Sequence, residues 1–167
     1  MALISDGRFV EDGWRRLADE ESLPKSGKVI VSFARLESAL AHAGGNVTLG
    51  VLVPNTTEPA ALTSALPRLK LVAIAFPAFA DGRGFSLARL LRRVGFAGEL
   101  RATGRLFADQ YAHAIGCGFD TVEVADDIAA RQDEAQWRGA AGAYSEKYQR
   151  GYVANGSILQ RRREGAK

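Results

Sequence analysis

The residue types best suited to chemistry gather in Phe79-Ala80-Asp81-Gly82-Arg83-Gly84-Phe85-Ser86, which follows the apolar run LVAIAFPA and precedes the periodic LARLLRRV. An arginine offers a planar fork of donors that matches an oxyanion or carboxylate. Gly82 and Gly84 can take positive φ and let a ligand approach the main chain. Ser86 is placed to cap the following helix, whose apolar positions Leu87, Leu90, Leu91 and Val94 keep the helical period. A helix start attracts anions through its free amides and partial positive charge. The chemistry implied is capture of sulfite, sulfate, phosphate or a carboxylate. A turn at Asp81-Gly82 with Arg83 paired to Asp81 uses the same residues without a ligand, and both readings stand. The loop lacks the third glycine of a dinucleotide fingerprint, so it gives no support for NAD.

Other candidates lie further along the chain. On a helical projection Phe107, Tyr111, Ala114 and Ile115 share one arc, with Gln110 at its margin and Asp109 in the first turn, favourable to the helix dipole. Asp109 and Gln110 either stabilise that helix or face a pocket with Arg83 and Arg105. Asp81 or Asp109 would be the base of any acid-base reaction. Arg101, inside the strand ELRAT, must be paired or meet an anion; Glu99, Glu123 and Asp81 are the internal partners considered, competing with a ligand. Arg89, Arg92 and Arg93 read as a solvated helix face, and His113 as a surface residue. Cys117, in IGCGFD between a helix and a strand, reads as structural. One cysteine and two histidines, His42 and His113, in separate segments argue against a disulfide, an iron–sulfur cluster or a zinc site. No metal and no cofactor is expected.

These residues need elements to hold them. LISDGRFVE places Asp6-Gly7 between apolar pairs, a hairpin signal, and residues 14–26 read as irregular. Strands are expected at residues 28–33, 47–53, 69–76, 99–103 and 121–124, and helices at 34–43, 58–66, 86–94, 105–115 and 126–138. Such alternation predicts one α/β domain over residues 1–150, with about five mostly parallel strands in an open sheet, or alternatively a half-barrel. Gly95-Phe96 and Gly118-Phe119 each precede a strand, as expected of glycine-terminated helices. Parallel sheets bind ligands beyond the carboxyl ends of their strands. That end should carry residues 34–35, 54–57, 77–85, 104–105 and 125–127, with Cys117 at the other.

Composition bounds the function. The chain of 167 residues is 47% hydrophobic and 25% charged, an ordinary globular balance. Its pI is near 9.2, yet from Arg150 onward five basic residues face one acid, so the body before them is slightly negative. Residues 151–167 are expected to be a basic, disordered tail, and no nucleic-acid-binding signature appears. The longest apolar stretch, Leu71 to Ala80, is about half the length a membrane span requires. A cytoplasmic protein is expected, with a homo-oligomer left open.

The segments FPAFADGRGFSLARLLR, GFAGELRATG, ADQ and CGFD, with LISDGRFVEDGWRRLAD and YSEKYQ toward the ends, carry a family resemblance. Through them the chain resembles a bacterial family of uncharacterised function labelled as an oxidoreductase of sulfite reduction. The resemblance covers about residues 1–150. It implies a cytoplasmic role in assimilatory sulfur metabolism beside sulfite reductase and adenylyl-sulfate or phosphoadenylyl-sulfate reductase. The positions that carry it are Phe76, Phe79, Asp81, Gly82, Arg83, Gly84, Ser86, Arg101, Asp109, Gln110 and Cys117. Gly116 stands where the family pattern has an arginine, which weakens any case for an activated thiol. The expectation is an accessory protein binding an oxyanion or docking the reductase through residues 81–86. The alternatives are an acid-base enzyme acting on a small anionic metabolite and a non-catalytic structural partner of sulfite reductase.

Overall fold

The computed structural model describes residues 1–142; the expected tail lies outside the described residues. Strands β1 (Ala2–Ser5) and β2 (Arg8–Val10) form the expected hairpin. Its turn residues have φ of +49° at Asp6 and +73° at Gly7, the doubly left-handed turn that matches strand twist. A Cβ on Gly7 would lie 2.8 Å from the Arg138 Cα, so packing as well as φ requires glycine there. The remaining strands are β3 (Arg15–Arg16), β4 (Gly27–Ser32), β5 (Val47–Val53), β6 (Leu69–Phe76), β7 (Glu99–Gly104) and β8 (Thr121–Val124). The helices are α1 (Leu36–His42), α2 (Arg83–Arg93), α3 (Ala108–Gly116), α4 (Asp126–Ala129) and α5 (Glu134–Gly142).

All eight strands join one sheet in the order β2-β1-β8-β7-β6-β5-β4-β3, parallel from β3 through β8 with β1 and β2 antiparallel at one edge. The fold is therefore mixed α/β with an open, curled sheet, the half-barrel form of the expectation. Chain length dictates the curl. Seven inter-strand steps of about 4.8 Å would hold the edges of a flat sheet about 34 Å apart. Val10 ends β2 and Arg15 opens β3, and such a segment reaches about 18 Å at most. The sheet must bend until its edges come within that reach, and residues 11–14 then cross its concave side.

Alternation sorts the side chains between the faces. Val29, Val31, Leu49, Val51, Val72, Ile74, Leu100, Ala102 and Val122 belong to the main core with Leu87, Leu91, Tyr111 and Trp137 from the helices. On the concave side Ile30, Leu71 and Ala73 pack with Trp14 and Leu52. Beside them Arg101, Thr103 and Glu123 are buried.

Several boundaries differ from expectation. In place of the helix expected at 58–66 the chain forms short 3-10 turns at Pro59–Leu62 and Leu66–Arg68, with Pro59 and Pro67 near their starts. Helix α2 begins at Arg83 with Gly82 as N-cap, so Ser86 lies inside the helix and caps nothing. Residues 126–138 split into α4 and α5. After α2, Gly95 has φ +91°, with bonds from Gly95 N to Arg92 O and from Phe96 N to Leu91 O; after α3, Gly118 repeats this at φ +104°, with Phe119 N bonding Ala114 O. Both are Schellman ends, which explains the glycine-phenylalanine echo. Among the described residues no helix is long and apolar enough to cross a membrane.

Candidate functional site

The loop between β6 and α2 leaves the carboxyl end of the sheet, as its position in the chain predicts. Its exposed residues Pro77 to Ala80 lead into Asp81, whose amide bonds the Ala78 carbonyl. Asp81 and Arg83 close on each other. Arg83 Nε donates to Asp81 Oδ1 at 2.9 Å, Nη2 donates to Oδ2 at 2.6 Å, and the Arg83 amide donates to Oδ1 at 3.3 Å. The Arg83 side chain is 62% exposed and that of Asp81 16%. The internal pair is thus formed, and it uses the guanidinium edge that would take an anion. Arg83 foremost, and then Asn55, hold the Asp81 carboxyl well below the usual carboxylate range; Asp81 in turn raises the Arg83 pKa.

Asn55, in the turn after β5, enters the site only in three dimensions. The residue is 6% exposed, and its Nδ2 is buried with no hydrogen-bond partner among the described residues. The sequence places its loop at this rim but does not single it out, since asparagine after proline reads as turn chemistry. Buried polar groups are normally satisfied, which makes this nitrogen the notable donor of the rim.

The glycines of the loop act differently from expectation. Gly82 has φ −80°, so no left-handed conformation is used. Gly84 lies within α2, where a Cβ would stand 2.5 Å from the Phe76 ring; it is a packing glycine that lets the helix start settle on β6. Ser86 is exposed on the same helix.

Gln110 ties α3 to this loop. Its Nε2 donates to the Phe79 carbonyl at 3.0 Å, and its Oε1 accepts the Phe107 amide at 3.3 Å. The Phe79 ring, 55% exposed, meets that of Phe107 edge-on at 5.8 Å. Asp109 and Arg105 are exposed, and among the described residues their side chains make no hydrogen bond or ion pair. The fold therefore brings Asp81, Gly82, Arg83 and Gln110 to one rim, with Asn55 added. Asp109 and Arg105 come from the segment that Gln110 joins to it.

Arg101 belongs to a separate cluster on the concave side. Only 1% of its side chain is exposed. It grips Asp12 through two nitrogens at 2.6 and 3.1 Å, bonds Glu99 at 3.0 and 3.1 Å, and stands 3.6 Å from Glu123. Thr121 donates to Glu99 at 2.7 Å, and Arg16 donates to Thr103 at 2.8 Å and to Glu123 at 2.6 Å. Burial pushes the Asp12 carboxyl up, but its bond to Arg101, the Trp14 amide and the nearby charges outweigh this and leave it below its ordinary value. The pairing with Glu99 and Glu123 was legible in the strand pattern. Asp12 was not, because it stands 89 residues away.

Arg92, expected on a solvated face, is partly buried and engaged: it donates to the carbonyls of Phe96, Gly98 and Gly118 and to Asp120, clamping the loops before β7 and β8. Cys117 is buried at the opposite end, with Sγ 3.6 Å from His113 Nε2. His113 is exposed, and burial against its neighbours, then the charge of Arg89, lowers its pKa. A hollow of about 370 Å³ opens at that end too, between Pro67, Lys70, Val94 and Phe96. Among the described residues no group of three or more His, Cys, Asp or Glu is arranged to hold a metal ion.

Residues 50–158, more than half of the chain, match the model of a family described as a bacterial protein of unknown function (DUF934). The match takes in the Asp81–Ser86 loop, Asn55, Arg101 and Gln110. No curated protein and no solved structure matches the chain.

Proposed function

The chain belongs to the bacterial family of unknown function DUF934, and we propose that it serves assimilatory sulfite reduction as an accessory protein. It holds a small oxyanion such as sulfite or sulfate, or docks sulfite reductase or adenylyl-sulfate reductase, through the Asp81–Ser86 loop. One observation carries the reading: an exposed arginine grips a single carboxylate at the start of a helix of 11 residues, with the buried Asn55 amide beside it. That is the donor geometry an oxyanion requires, already in contact with an anionic group of the chain itself. The sulfur assignment rests on the resemblance, carried by segments such as FADGRGFS and ELRAT, to a family labelled as an oxidoreductase of sulfite reduction.

The test has two parts. Sulfite and sulfate, titrated into wild-type and Arg83→Gln protein while the amide signals of residues 82–86 are followed, should shift those signals in the wild type only. A strain lacking the protein should grow on sulfide and fail on sulfate and sulfite. Equal shifts in the variant, or normal growth on all three sources, rejects the proposal.

An acid-base enzyme acting on a small anion is the competing class. A base working near neutrality needs a pKa near the operating pH, and Asp81 is held far below that. Asp109 is the acid left to such a reading, and retention of the growth phenotype's rescue by Asp109→Asn removes it.

A further inference from the structure

On the reading of the Asp81–Ser86 loop as an anion site, we infer that the Asp81 carboxylate is its resident occupant. An external ligand enters by exchange with Asp81, and the site favours an oxyanion with three or more oxygens over a carboxylate. Asp81 Oδ1 accepts both the Arg83 amide and Nε, and Oδ2 accepts Nη2. Both oxygens already accept from Arg83, which takes three of the roughly four lone-pair sites of the carboxylate. The buried Asn55 nitrogen beside them remains without a hydrogen bond among the described residues, although the side chain helps to keep Asp81 ionised. A buried donor left in that condition retains its full desolvation cost. A carboxylate has only two oxygens, in one plane, and the arginine fork uses that plane. A sulfonate-like or tetrahedral anion carries a third oxygen out of the plane, free to accept from Asn55.

Exchange is sterically open. Arg83 is 62% exposed, and Asp81 is attached only two residues before it, so a rotation of the loop frees the fork without unfolding α2. A site whose competent form is only partly populated binds with an affinity reduced by that fraction. Removing the internal competitor must therefore tighten external binding.

Methanesulfonate and acetate test this, because they share a charge and a methyl group and differ in oxygen count. Each is titrated into full-length wild-type, Asp81→Asn and Asn55→Ser protein at constant ionic strength, with the amides of residues 82–86 observed and melting curves recorded. Wild type should prefer methanesulfonate by about tenfold, a factor one added hydrogen bond can supply. Asp81→Asn should bind it several-fold more tightly, and Asn55→Ser should narrow the preference. Equal affinities in the wild type, or no tightening in Asp81→Asn, overturns the inference while leaving the loop an anion site. Absence of any response in all three proteins removes the anion site itself. Should Asn55→Ser fail to fold, the other two proteins decide the outcome.

Discussion

Asp81 and Arg83 sit two residues apart in a glycine-flanked loop and form a closed pair at the helix start. The depressed Asp81 pKa sets the sign of a pH effect. Its contribution to stability is complete above the ordinary carboxylate range and is lost as pH falls through the lower folded value. Asp81→Asn should lower the melting temperature near neutral pH by a small amount, since the pair is exposed on the arginine side, and should flatten the acid limb of a melting profile by that same amount. A carboxyl carbon titration showing Asp81 at its ordinary value would contradict this. Tyr111 is the second residue whose role is local. Its hydroxyl accepts the Gly7 amide at 3.0 Å, fastening the β1–β2 turn to α3. Tyr111→Phe should cost about 1–3 kcal/mol by leaving that amide unsatisfied, read from the midpoint of urea unfolding.

Helix α2 shows how an element takes its place from one small residue. Gly84 faces the Phe76 ring where β6 ends. Replacing it by alanine gains up to about 1 kcal/mol of helix propensity, but a Cβ 2.5 Å from a buried ring forces an overpacking cost of about 1–3 kcal/mol. The second effect is larger. Gly84→Ala should lower stability and displace the Asp81–Ser86 loop, seen as shifted amide signals across residues 81–86, whereas an unchanged melting temperature would show that the ring yields freely. At its other end α2 is stopped by Gly95 and held through Arg92, whose guanidinium bonds three carbonyls. Those three bonds require several donors on one planar group, which suits arginine and not lysine.

At the scale of the molecule, the four residues between β2 and β3 bend the sheet and bring Asp12 and Arg16 over its concave side. There two guanidinium groups and three carboxylates stand between the edges. Arg101 is the center of this arrangement, and truncating one member of a buried ionic group leaves the others uncompensated. Arg101→Leu should cost about 3–5 kcal/mol and accelerate hydrogen exchange in β7 and β8. A loss under about 1 kcal/mol would mean that the acids find water or other partners. Anion binding at the Asp81 loop should survive in molecules that remain folded, because Arg101 bonds Asp12 and Glu99 instead of that loop.

The alternation of elements, the Asp6-Gly7 hairpin, the strands at 47–53, 69–76 and 121–124, and the two glycine-ended helices were determined by the sequence itself, since each depends on periodicity or dihedral preference within a few residues. It also placed the Asp81 loop and Gln110 at the carboxyl end of the sheet. Only the tertiary structure decided that the sheet curls, that Arg101 meets Asp12, that Arg92 clamps two loops, and that Asn55 lies beside Asp81. Those outcomes depend on which distant segments the folded backbone brings within about 3 Å, the reach of a hydrogen bond. A guanidinium or an amide carries no local mark of the partner it will find.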